Sequence, residues 1–324
     1  MTSPPHGSPR AAAPSDTPAH VLAPGVSWAL VGVAILGVSL SAPVTAASVV
    51  PALAIGFWRT ALGALVTVPW AWSWLRRTAR QTGRRGLARM LSGSALAGVF
   101  LAVHFALWLP SLRFTSVTAA TALVSTPPIW TVTVDRLLGR PVGWRTLAGT
   151  ALALAGILAI TGVDLGHSAR ALVGDLLALG GGMAAAGYML MGERERRTLP
   201  SAVYTSVTYG VAAVLTVPVC LVAGAELVGY PARGWLEIAV ITVFAQLLGH
   251  TLLNVAVPAV GATPIALALL LEVPGAALIA WACYGQTPPL VVLPGALLVL
   301  AGLAVVVAAR ARPAQDALVS DPMI

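Results

Sequence analysis

Residues 104–162 read HFALWLPSLRFTSVTAATALVSTPPIWTVTVDRLLGRPVGWRTLAGTALALAGILAITG, and the chain carries this stretch twice in diverged form. A constant shift of 146 positions takes His104 onto His250 with no gap. The same shift takes Pro128 onto Pro274, Gly139 onto Gly285, Gly149 onto Gly295 and Gly156 onto Gly302. Gly and Pro punctuate apolar segments everywhere, so one such match would carry little weight. Five at one offset, one of them a His inside an apolar run, mark a duplicated unit whose function falls where the copies meet.

Outside this stretch the composition is equally one-sided. The 324 residues are 58% hydrophobic and 9% charged, with a mean hydropathy of +0.87, whereas a soluble domain has roughly 25% charged residues. The net charge of +8 comes from Arg alone, since the chain has no Lys. Such a balance can mark a nucleic-acid partner, but these Arg residues sit in short gaps between apolar runs. That placement is membrane topology and excludes a nucleic-acid surface. Cys220 and Cys283 lie in apolar runs without CxxC or His spacing and read as inert. No metal site and no cofactor is expected.

Taken in order, residues 1–25 are rich in Pro, Ser and Ala and are expected to be a disordered cytoplasmic tail. Ten apolar segments follow, at 26–46, 52–74, 90–110, 116–137, 143–163, 171–192, 201–223, 235–257, 262–283 and 289–309. Each is near the roughly 20 residues that cross a bilayer as helix. Continuous runs of this length exclude an outer-membrane barrel, whose strands are shorter and alternate. Residues 310–324 read as a short polar cytoplasmic tail.

Arg placement sets the orientation. With the N-terminus inside, one side holds Arg76, Arg77, Arg80, Arg84, Arg85, Arg89, Arg136, Arg140, Arg145, Arg194, Arg196, Arg197, Arg310 and Arg312. The other side holds Arg113, Arg170 and Arg233. Both termini are therefore expected in the cytoplasm. Each unit has an odd number of spans, so the second enters the membrane upside down. The fold class is thus all-α integral membrane, with ten transmembrane helices as two inverted five-helix repeats, 26–163 and 171–309.

Several short motifs fall in order along this frame: Phe57-Trp58-Arg59, Thr126-Pro127-Pro128, Gly174-Asp175-Leu176 and Leu271-Glu272-Val273-Pro274. With the Gly149/Gly156 and Gly295/Gly302 pairs, they make the chain resemble the drug/metabolite transporter superfamily, in its EamA-domain branch, over about residues 26–309. There are departures. The Leu-Gly-Glu that usually ends the fourth and ninth helices reads Leu138-Gly139-Arg140 and Tyr284-Gly285-Gln286 here. Val273 also stands between Glu272 and Pro274.

Against this background a few polar residues stand out. Gln246, His250 and Asn254 at i, i+4 and i+8 make one polar stripe on the eighth helix. The matching places on the third helix are Phe100, His104 and Trp108. Facing lipid would be costly for the polar groups, so His104, Trp108, Gln246, His250 and Asn254 are expected to line one cavity. The alternative is interhelical bonding at about 0.6 kcal/mol apiece. Glu272 is the one acid well inside a span. It is a candidate for proton coupling or for pairing a substrate amine, against a structural bond to a carbonyl freed by Pro274. Trp130 and Tyr188 are further cavity candidates. Arg59 is expected to snorkel outward, and otherwise to bind a substrate carboxylate.

No Walker loop, GxSxG elbow or metal-ligand spacing is present, and an enzyme is not expected. The leading expectation is a secondary transporter, multi-pass in the plasma membrane. The resemblance implies export of small organic metabolites such as amino acids from a bacterial cell. A flippase for lipid-linked intermediates is the alternative, and an intramembrane enzyme using His104, His250 and Glu272 a more distant one. The partners are a small-molecule substrate and the lipid bilayer, with proton coupling and a homodimer left open.

Overall fold

The computed structural model describes residues 24–196, 198–253, 256 and 268–319, and everything regular among them is helix. Prolines decide where the helices break. A proline ring collides with the carbonyl four residues back and offers no N–H. Pro43 does this to Ser39, where α1 (Pro24–Ser39) ends before α2 (Ser41–Ala47) begins. Pro128 does it to Val124, the last residue of α5 (Val117–Val124), and α6 (Pro127–Leu137) restarts with Pro127 at its first position. Pro274 does it to Leu270, in the turn just before the helix Glu272–Tyr284. The last two breaks coincide under the 146-residue shift.

Between these broken helices lie longer ones. α3 (Ala52–Met90) and α4 (Ser92–Ser111) follow each other almost without a gap. They fold back because Gly83 adopts φ 71°, which only glycine takes readily. Residue 56 near the start of α3 consequently abuts Phe105 and Leu109 near the end of α4. The Arg-rich stretch 76–89, expected as a gap between apolar runs, is thus mostly exposed helix on either side of the turn at Gly83. α7 (Trp144–His167), α8 (Ala169–Glu195), α9 (Ser201–Val222) and α10 (Ala232–Val240) follow. α10 runs on without interruption as a π-helix over Ile241–Thr251. α11 (Glu272–Tyr284) and α12 (Leu293–Val319) complete the described chain, with α12 extending past the expected end of the last span.

Among the described residues, seven helical stretches are long and apolar enough to cross a membrane, and Leu293–Ala309 is a shorter apolar one. One of the seven, Ala52–Ser111, is the antiparallel pair α3–α4. The expected ninth span falls partly outside the described residues.

The duplication is visible in the packing. α7 and α12 cross so closely that a Cβ on Gly149 would sit 2.8 Å from the Gly302 carbonyl oxygen. One on Gly156 would sit 2.6 Å from that of Gly295. Position rises along α7 as it falls along α12, so the helices are antiparallel. The repeat shift turns 149 into 295 and 156 into 302, so it converts the first contact into the second. A two-fold axis that exchanges antiparallel neighbours must run perpendicular to them. For helices that cross a bilayer, that axis lies in the membrane plane, which is the geometry of an inverted repeat. The same exchange relates the packing of α8 on α4 to that of α1 on the π segment.

Candidate functional site

Arg59 organises the interior. It lies seven residues into α3, about 10 Å along the helix axis from Ala52. Its side chain does not snorkel: the residue is 1% exposed. Nε donates to Gln246 Oε1 at 2.8 Å and Nη1 to Ser41 Oγ at 2.9 Å. The guanidinium also stacks over Phe105, with Cζ 4.4 Å from the ring centroid. These contacts correct the outward reading and give its cause. Burying a guanidinium is costly unless its N–H groups are bonded, and here α2, α4 and the π segment supply two acceptors and a ring face. One of those acceptors comes from the other repeat, 187 residues away.

The remaining charged and polar candidates gather around this centre. Glu272, in the first turn of α11, and His250, on the π segment, are both within electrostatic reach of Arg59. His104 on α4 is within reach of Arg59 and of His250. All three lie deep among the helices, yet each keeps partly accessible surface. His104 Nδ1 lies 2.9 Å from the Gly181 carbonyl oxygen, so Nδ1 carries a hydrogen and donates to α8. Its ring stacks on Trp108, with centroids 5.4 Å apart and planes 22° apart. Trp108 itself is 4% exposed and packed into the main core, and its indole N–H has no acceptor among the described residues.

Gln246 is 1% exposed and committed to Arg59. The stripe expected from α-helical spacing is altered by the π segment, whose i→i+5 bonding widens the helix; such distortions recur at functional sites. Asn254 lies outside the described residues. Trp130 donates its indole N–H to Thr126 Oγ1 at 3.1 Å, one turn back on its own helix. Tyr188 stacks with Tyr204, the ring centroids 6.4 Å apart.

Three described residues at this centre, Ser41, Phe105 and Tyr209, had not been singled out from the sequence, Phe105 being the ring under the guanidinium. Ser41 lies two positions before Pro43, and helix breaks often flank sites, so a signal existed. Tyr209 on α9 is 1% exposed, and a Cβ on Gly63 would touch both its ring and Gln246. Nothing in its local sequence sets it apart.

Further polar ties lie near the helix ends, those of Ser48 with Glu237 and Ser94 with Glu195 between the repeats and the others within one repeat. Ser48 Oγ donates to Glu237 Oε2 at 2.5 Å, and Arg233 Nε donates to Glu237 Oε1 at 2.8 Å. Arg113 Nη2 reaches the carbonyls of Ser48 and Val50 at 2.7 and 3.0 Å. Partial burial lowers the pKa of this guanidinium, and the charge of Glu237 opposes the shift. At the opposite end, Ser94 Oγ donates weakly to Glu195 Oε2 at 3.4 Å.

A helical bundle of two inverted repeats, tied across their junction by a buried cation, defines a multi-pass membrane protein of duplicated architecture. The model of the EamA-like transporter family matches residues 23–162 and again residues 172–308. The chain belongs to the EamA-like transporter family and is accordingly a membrane transporter of small molecules. A solved crystal structure, described only as that of a protein, is 16% identical and superposes with a TM-score of 0.57. That likeness covers 88% of this chain and 98% of the other, and it shows the fold alone. No curated protein matches the sequence.

Proposed function

We propose that this protein is a secondary transporter that exports small organic metabolites, amino acids or related compounds, by alternating access. The single observation that carries the reading is the Arg59–Gln246 bond. It places a buried charge on the junction between two repeats related by an in-plane two-fold. Rocking one repeat against the other about that junction would open the centre to one side and then the other. His104, His250 and Glu272 lie deep and keep accessible surface, as side chains lining an internal crevice would. Together with Trp108, Gln246, Asn254, Trp130 and Tyr188, they are the proposed substrate-binding set.

Glu272 is the proposed coupling residue. Its counterpart in the first repeat is Thr126, so the pseudo-symmetry is broken where a group can titrate. If Glu272 is hydrated in one state and occluded in the other, its proton affinity differs between them, which is what coupling requires. The repeats occupy 26–163 and 171–309, the membrane is the plasma membrane, and both termini are cytoplasmic. An efflux or growth-resistance screen over amino acids and related metabolites, followed by reconstitution in proteoliposomes, tests the reading. A reconstituted protein that moves none of them against passive leakage contradicts it.

A further inference from the structure

We propose that Arg59 is the seat of a carboxylate on the transported metabolite. This assignment deepens the transporter reading and rests on it. A guanidinium carries five N–H donors in one plane. Gln246 takes the one on Nε and Ser41 takes one on Nη1. The others, one on Nη1 and two on Nη2, have no acceptor among the described residues. They leave a two-pronged edge of the kind that grips a carboxylate bidentately.

Charge points the same way as geometry. Among the described residues, the groups that bond to Arg59 or stack on it are an amide oxygen, a hydroxyl and a phenyl ring, all of them neutral. They orient the cation without cancelling it. Among the described residues no carboxylate pairs with it; Glu272 acts on it only through space. A 1% exposed cation with no contacting counter-ion favours an anionic ligand. The nearby Glu272 limits how much negative charge the centre accepts, which disfavours a phosphate dianion against a single carboxylate. The same Glu272 suits a ligand that also carries an ammonium, as an amino acid does.

The test uses the purified full chain in nanodiscs, a panel of L-amino acids, and the corresponding L-amino-acid amides. The amides keep the side chain and ammonium and lose the anion. Thermal shift reads binding, and counterflow in proteoliposomes reads transport. At least one acid is expected to raise the melting temperature and to bind tenfold or more tightly than its amide. Arg59→Lys keeps the charge, loses the fork, and should weaken that acid by tenfold or more. An amide that binds within threefold of its acid overturns the assignment, as does a panel in which no acid binds. An Arg59→Gln protein that binds like wild type also overturns it. If the Arg59 variants do not fold, the acid–amide comparison on the wild-type protein still decides. Amides transported as well as acids would sink the carboxylate seat and leave the transporter standing. Acids bound at Arg59 but never transported would do the reverse.

Discussion

The crossing of α7 and α12 supports a worked prediction. A methyl group at Gly156 would lie 2.6 Å from both the Gly295 carbonyl oxygen and the Val299 nitrogen, about 0.8 Å short of the 3.4 Å at which ordinary contact begins. Both obstructing atoms are backbone, so no rotamer change relieves the clash, and the helices must separate. Overpacking of this kind costs about 1–3 kcal/mol. Gly156→Ala should therefore destabilise the protein by that amount. Gly295→Ala should do likewise, since its Cβ would meet the Gly156 carbonyl at 3.0 Å and Ile160 at 2.7 Å. Because one separation accommodates both methyls, the double variant should cost clearly less than the sum. Gly210 in α9 has nothing within 4 Å of a Cβ, so Gly210→Ala should be neutral or stabilising by about 0.5–1 kcal/mol. Reversible unfolding in mixed micelles, followed by circular dichroism, measures all four. A Gly156→Ala protein as stable as Gly210→Ala would refute the close crossing and, with it, the two-fold derived from it.

Three other outcomes are expected. Gln246→Leu strips the acceptor from Arg59 Nε and should cost about 1–3 kcal/mol in the same unfolding assay; a smaller loss would mean that the Arg59–Gln246 bond is not formed in the membrane. In a background with Cys220 and Cys283 replaced, a membrane-impermeant maleimide applied to intact cells should label Ala225→Cys and leave Arg80→Cys untouched, and equal labelling would contradict the assigned orientation. Once a substrate is identified, Glu272→Gln should abolish accumulation driven by an imposed pH gradient while retaining substrate exchange. An unaltered pH response would leave Glu272 as a structural partner of the break at Pro274.

The sequence by itself determined the architecture, because the forces that set it are local. Length and hydropathy mark helices that a bilayer would accept. Each of Pro43, Pro128 and Pro274 breaks its helix at the residue four places back, since the clash lies within one turn of the ring. The 146-residue offset declared the two-fold before any packing was known. Tertiary structure alone decided what each polar side chain does. From its own helix Arg59 reads as a residue near an end, free to reach outward. Ser41, Phe105 and Gln246, on three other elements, bring it in instead. The i, i+4 stripe on the eighth span assumed an α-helix, whereas Ile241–Thr251 is wound as a π-helix and packs against α1 and α3. Trp108 is grouped with His104 by spacing, but that it packs at 4% exposure where α8 approaches it at Gly181 is set by the tertiary fold. Periodicity tells which side chains share a face, but the cost of burying a charge depends on groups that approach from distant parts of the chain.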